Sequence, residues 1–145
     1  MSVFSNDNNA DALLARIRDN AVQLALCDGQ PVNYNEAVTN KGSTVPGGGT
    51  ARRLGNSTLS TSWSSGPVNS TAAGAGRKLV IAQISSMSID ITSTAADHVA
   101  VVTSSTAAEL LFVATLGSAQ SVVSGNTAQI NSFEYRVNDP TASTA

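Results

Sequence analysis

Arg77-Lys78-Leu79-Val80-Ile81-Ala82-Gln83-Ile84, Asp97-His98-Val99-Ala100-Val101-Val102-Thr103, Glu109-Leu110-Leu111-Phe112-Val113-Ala114-Thr115-Leu116 and Thr127-Ala128-Gln129-Ile130-Asn131-Ser132-Phe133-Glu134-Tyr135-Arg136-Val137 decide the fold. Each run is rich in β-branched residues, has the length of a strand, and is parted from the next by small polar or glycine-containing turn residues. In succession they predict a β-meander over residues 77–139 that supplies most of the core. Its expected packing residues are Leu79, Ile81, Val99, Val101, Leu111, Val113, Ile130 and Phe133. Met87-Ser88-Ile89-Asp90-Ile91-Thr92 alternates and adds a further short strand.

Upstream of this stretch the pattern changes period. Residues 1–9 read as a flexible lead, and Asn8 or Asn9 can cap a helix over residues 10–19. Leu13, Ile17 and either Leu14 or Ala10 give that helix an apolar stripe, but three turns are marginal alone, so the stripe must pack on something. Ala21-Val22-Gln23-Leu24-Ala25-Leu26-Cys27 has the period of a strand, and Asp28-Gly29-Gln30-Pro31 ends it. Asn33-Tyr34-Asn35-Glu36-Ala37-Val38 reads as one helical turn or a structured loop, with Asn33 followed three residues later by Glu36 as in a capping box.

Residues 40–76 form the weakest segment. Pro46-Gly47-Gly48-Gly49 is a loop, Leu54 to Trp63 can hold a short strand, and Gly66-Pro67 and Gly74-Ala75-Gly76 punctuate the approach to the β core. A loop this long inside a compact domain usually serves binding or assembly, and part of it is expected to order only against a partner. Arg52 and Arg53, whose guanidinium groups suit bidentate contacts to acidic groups, are the candidate partner contacts together with Trp63. Asp139-Pro140 stops the last strand and leaves residues 140–145 as a tail. The whole is expected to be one mainly β domain, an antiparallel β-sandwich or barrel-like meander with a short N-terminal α-helix.

Composition narrows the function classes. Only 12% of the 145 residues are charged and 4% aromatic, against about 25% charged in an average domain. The surface is therefore polar, nearly neutral and built of short side chains that lose little rotamer entropy when covered. A net charge of −2 provides no general attraction for nucleic acid. No apolar run has the length of a membrane span. Cys27 is the only cysteine, so no intrachain disulfide is possible, and the lack of a secretory leader in the sequence points to synthesis in a reducing cytosol.

Chemistry is less visible than architecture. His98 is the only histidine, which rules out a metal site with two His ligands from one chain, and it is read as a structural or surface residue beside Asp97. No G-x-S-x-G elbow accompanies the many serines. Cys27 is read as a buried, inert thiol, because no basic neighbour in sequence lowers its pKa. Asp90, Asp97, Glu109, Glu134 and Asp139 lack the spacing of a calcium loop, and Gly74-Ala75-Gly76 precedes a strand, so it cannot be a dinucleotide loop. No catalytic residue, cofactor or metal is expected.

The succession of the 12–18 helix, the 21–27 strand, Gly29-Gln30-Pro31, Asn33-Tyr34-Asn35-Glu36-Ala37, Arg77-Lys78, Asp97-His98-Val99-Ala100-Val101-Val102, Leu110-Leu111-Phe112-Val113 and Phe133-Glu134-Tyr135-Arg136-Val137-Asn138-Asp139-Pro140 resembles small proteins encoded near the capsid genes of tailed bacteriophages. Some of those look like capsid cement or decoration proteins. The likeness covers nearly the whole chain apart from residues 40–76 and the tail. It implies a non-enzymatic virion protein, made in the host cytoplasm, that binds the outside of the major capsid protein shell as a homo-oligomer, dimer or trimer. A neck or tail completion protein, a fibre-attachment module and a small carbohydrate-binding β-sandwich are the alternatives.

Overall fold

The computed structural model describes residues 7–70 and 76–137. The first six residues of the expected lead, Gly74, Ala75, the Asp139-Pro140 stop and the 140–145 tail lie outside the described residues. The chain is mainly β, with antiparallel sheets and an N-terminal helix. Its residues gather into two compact units, one from 20–60 and 84–130, the other from 61–83 with the described parts of 1–19 and 131–145.

The larger unit is a six-stranded antiparallel sheet of β1 (Gln23–Asp28), β2 (Arg53–Thr58), β5 (Ile84–Ile89), β6 (Ser93–Val102), β7 (Leu110–Val122) and β8 (Thr127–Ile130), in the order β7-β6-β1-β2-β5-β8. The strands after residue 77 therefore do not form the expected meander of consecutive neighbours. Only β6 and β7 pair as a hairpin, and the centre of the sheet is β1 and β2, which precede residue 60. The reason lies in burial. Leu24, Ala25, Leu26 and Cys27 are all fully buried, as are Ala100, Val101 and Val102 beside them, so both faces of the β1–β6 pair are covered. On one face Ala25, Cys27, Ala100 and Val102 pack with Ala37 of the short helix α2 (Tyr34–Val38), with Tyr34, Val38, Leu110 and Val113 around them. Leu24 and Leu26, paired with Val101 and Val99, point to the other face. Burying each leucine contributes about 1.5–3 kcal/mol.

The short strand expected between Leu54 and Trp63 is present as β2, displaced to residues 53–58. Leu54 is fully buried and Gly55 is buried in the middle of the sheet, so this strand is ordered within its own chain. Its bounds were not legible because Arg53-Leu54-Gly55-Asn56-Ser57-Thr58 carries one apolar side chain, too few to show a period.

The smaller unit contains α1 (Asp7–Asn20) and a three-stranded antiparallel sheet of β3 (Ser64–Asn69), β4 (Arg77–Ile81) and β9 (Phe133–Val137), with β4 in the centre. The helix begins before Asn8 and Asn9, so neither is its cap. Its buried stripe is Ala10, Leu14 and Ile17, spaced four and three, while Leu13 is exposed. Arg77 of β4 grips Asp11 of α1 with two hydrogen bonds of 2.6 and 3.1 Å, and donates also to Asn69 Oδ1 and Pro67 O. Arg18 donates to Gly66 O at 2.9 Å.

The run 127–137 was expected as one strand and is two. β8 joins β5 and β9 joins β4, the break falling at Asn131-Ser132. Both strands keep their period of two, so alternation alone could not reveal that the chain changes sheets between them.

Candidate functional site

The densest set of charged side chains in the larger unit surrounds the end of β1. Pairing shifts register there on both sides, between Leu26 and Cys27 against β2 and between Cys27 and Asp28 against β6. Such irregularities re-aim side chains, and the one re-aimed here is Asp28. Its Oδ2 accepts from Ser93 Oγ at 2.9 Å and from Lys41 Nζ. Gly29 follows with φ of 85°, a left-handed conformation that favours glycine, and its N–H donates to Asp97 Oδ1 at 2.7 Å. Asp97 Oδ1 also lies 2.8 Å from His98 Nδ1.

A second shell of contacts fastens residues 33–53 to this turn. Asn33 caps α2 by accepting from Glu36 N at 3.0 Å, which is half of the expected capping box. The Glu36 carboxylate is buried and sits with Oε1 3.8 Å from Arg52 Nε. Arg52 donates from Nη1 to Asp28 O and from its backbone N–H to Glu36 O. Arg53 donates from Nε to Asn40 Oδ1 at 2.9 Å, while its backbone bonds Lys41 and Thr39. Asn35 Nδ2 reaches Pro46 O and so ties the glycine loop to the helix.

This geometry defines what the cluster does chemically. The lysine hydrogen bond, seconded by Ser93, holds Asp28 below the usual carboxylate range. His98, followed by the Gly29 N–H, does the same for Asp97. The Ser93 hydroxyl is committed to Asp28 and accepts from Ala95 N, so Ser93 and His98 do not form a nucleophile–base pair. Burial pushes the Cys27 thiol up to about 12, which keeps it a neutral, unreactive thiol at physiological pH. Among the described residues no group of three or more His, Cys, Asp and Glu side chains is placed to hold a metal ion, and no helix is long and apolar enough to cross a membrane. The cluster is a brace that fixes the loops to the sheet.

Of the three residues singled out as partner contacts, Arg52 and Arg53 are neighbours in this brace and spend their side chains on Asp28, Glu36 and Asn40. Trp63 belongs to the smaller unit, is buried, and donates its indole N–H to Arg18 O at 3.2 Å. The sequence reading missed Asp28, Lys41 and Ser93 as a set. They lie 13 and 65 residues apart, separations that leave no local pattern.

A different surface stands open. From residue 110 to residue 132 no side chain carries a charge. This run supplies β7, which is the outer strand of the six-stranded sheet and pairs with β6 alone among the described strands. Thr115, Gly117, Ser118, Ala119, Gln120 and Ser121 are exposed along it, and Val123 just beyond is half exposed. No protein-family profile, curated protein or solved structure matches the chain.

Proposed function

We propose that the chain is a non-enzymatic virion structural protein of a tailed phage, a capsid decoration or cement protein that binds the outer surface of the shell formed by the major capsid protein. The observation that carries this reading is the charge-free outer strand β7, exposed at Thr115 and from Gly117 to Ser121, on the rim of the larger unit. The described charged groups at the end of β1 are turned inward on one another, whereas the open rim offers short Ser, Thr, Ala, Gly and Gln side chains. A rim of that kind loses little side-chain entropy when covered and needs no matching charge on its partner. Binding only the mature shell stabilises it by mass action, and many copies add through avidity.

The test is to mix purified protein with mature shells that lack it, then measure binding and resistance of the shells to heat. Retention on the shells with raised heat resistance supports the reading. Failure to bind, with unchanged resistance, overturns it. A map of the virion separates the capsid surface from a neck or tail position by copy number, since decoration needs hundreds of copies and a ring needs about a dozen.

A further inference from the structure

An outer strand presents a row of backbone N–H and C=O groups that no strand of its own sheet satisfies. Proteins usually blunt such edges with lysine, proline, short length or a bulge. β7 has no charged residue and no proline, and it is the longest strand among the described residues. One blunting device is present. His98 pairs with Thr115 and Ala96 with Gln120, so residues 116–119 of β7 stand opposite Asp97 alone. A further register shift falls between Val101 and Val102, where Leu111 is passed over. Between these two irregularities residues 112–115 pair regularly with residues 98–101 of β6.

We propose that β7 pairs with β7 of a second copy of this chain, antiparallel about a twofold axis that crosses residues 112–115, and so extends the six-stranded sheet into a continuous sheet across a dimer. Three features of the structure select a second copy as the occupant. The run is neutral from residue 110 to residue 132, so a strand laid against its own copy brings no like charges together, which would otherwise be destabilising. Every pairing in this sheet is antiparallel, which is the arrangement that a twofold produces between identical edges. The other outer strand of the sheet, β8, has only four residues, too short to match β7, so a head-to-tail β7-to-β8 contact that would grow into an open filament is disfavoured. The bulge at 116–119 then has a role in the pairing. It ends the flat part of the edge and limits the dimer to one short, defined register instead of a slipping ladder.

The inference stands independently of where the protein sits in a virion, and it is tested on the purified chain. Sedimentation velocity over a wide concentration range gives the mass, and amide hydrogen exchange along β7 gives the location. Dimer mass, with every amide of residues 112–115 protected at high concentration, is the expected result. Thr115→Lys places a charge on an exposed position of the paired run. It should weaken self-association about tenfold or more while leaving the circular dichroism spectrum unchanged. Gln120→Lys, beyond the bulge, and Ser43→Lys, an exposed position away from β7, are the controls and should leave the dimer intact. A monomer at every concentration, alternating fast and slow exchange at 112–115 throughout, or a dimer indifferent to Thr115→Lys would each overturn the proposal.

Discussion

Asp97 joins its neighbour His98 to the backbone of Gly29, and the bonds that do this make the residue sensitive to acid. Its pKa is lowered by folding, as is that of Asp28. A carboxylate with a depressed folded pKa contributes stability that is complete above its ordinary value, near ~4, and is lost as pH falls through the folded value. Asp97→Asn should therefore destabilise the chain at neutral pH, and the gap to the wild type in urea unfolding should close as the pH is lowered below that ordinary value. A gap of equal size at neutral and acid pH would show that Asp97 is not linked to protons in this way. Leu26 answers to a different force. It is fully buried in the central strand, so Leu26→Ala should cost about 2–5 kcal/mol in the same unfolding experiment. What could be read from sequence at this scale follows the same division. Leu24 and Leu26 declare themselves by alternation, and Asn33 with Glu36 by spacing along one turn, because those signals are local. The partners of Asp28 come from two other segments, and no local rule brings Lys41 or Ser93 to it.

Among the elements, β2 was the least visible and is the most constrained. Gly55 pairs with Leu26 on one side and Ile89 on the other. A Cβ at Gly55 would overlap Ser88 O of β5 and lie 2.9 Å from Ile89 Cδ1, so the two strands approach as closely as they do because the side chain is absent. Gly55→Ala should destabilise by about 1–3 kcal/mol, since the obstruction is backbone and cannot swing aside. Gly117→Ala is the matched comparison. It lies in the bulged part of β7 with nothing within 4 Å of the added carbon, and chemical denaturation should place it close to the wild type. Equal losses at the two sites would contradict the steric account. No local feature of the sequence tells Gly55 from Gly117, whereas the structure gives the first a packing function and leaves open space at the second. Period and propensity identify that a strand exists; which neighbour it approaches closely depends on contacts far along the chain.

For the whole molecule, the order of strands matters more than their number. The chain passes between its two units repeatedly, and several passages are short: Ala21 and Val22 join α1 to β1, Ala82 and Gln83 join β4 to β5, and Asn131 and Ser132 join β8 to β9. Each unit is thus assembled from segments that are not contiguous in sequence, which explains why the 77–139 stretch could not hold most of the core by itself. A strand that frays in one unit pulls through a two-residue link on a strand of the other. Loss of order is then shared between units, as expected of cooperative unfolding. The chain carries its own probe for this, because Trp63 is the only tryptophan, belongs to the smaller unit and is buried there. Its fluorescence reports the smaller unit, while Cys27, the only cysteine, is buried in the larger unit, so pulsed labelling with a thiol reagent reports the opening of that one. In a urea titration the two signals should give the same midpoint and the same slope. A tryptophan transition displaced from the labelling transition would mean that the units unfold separately, and that the short links do not couple them.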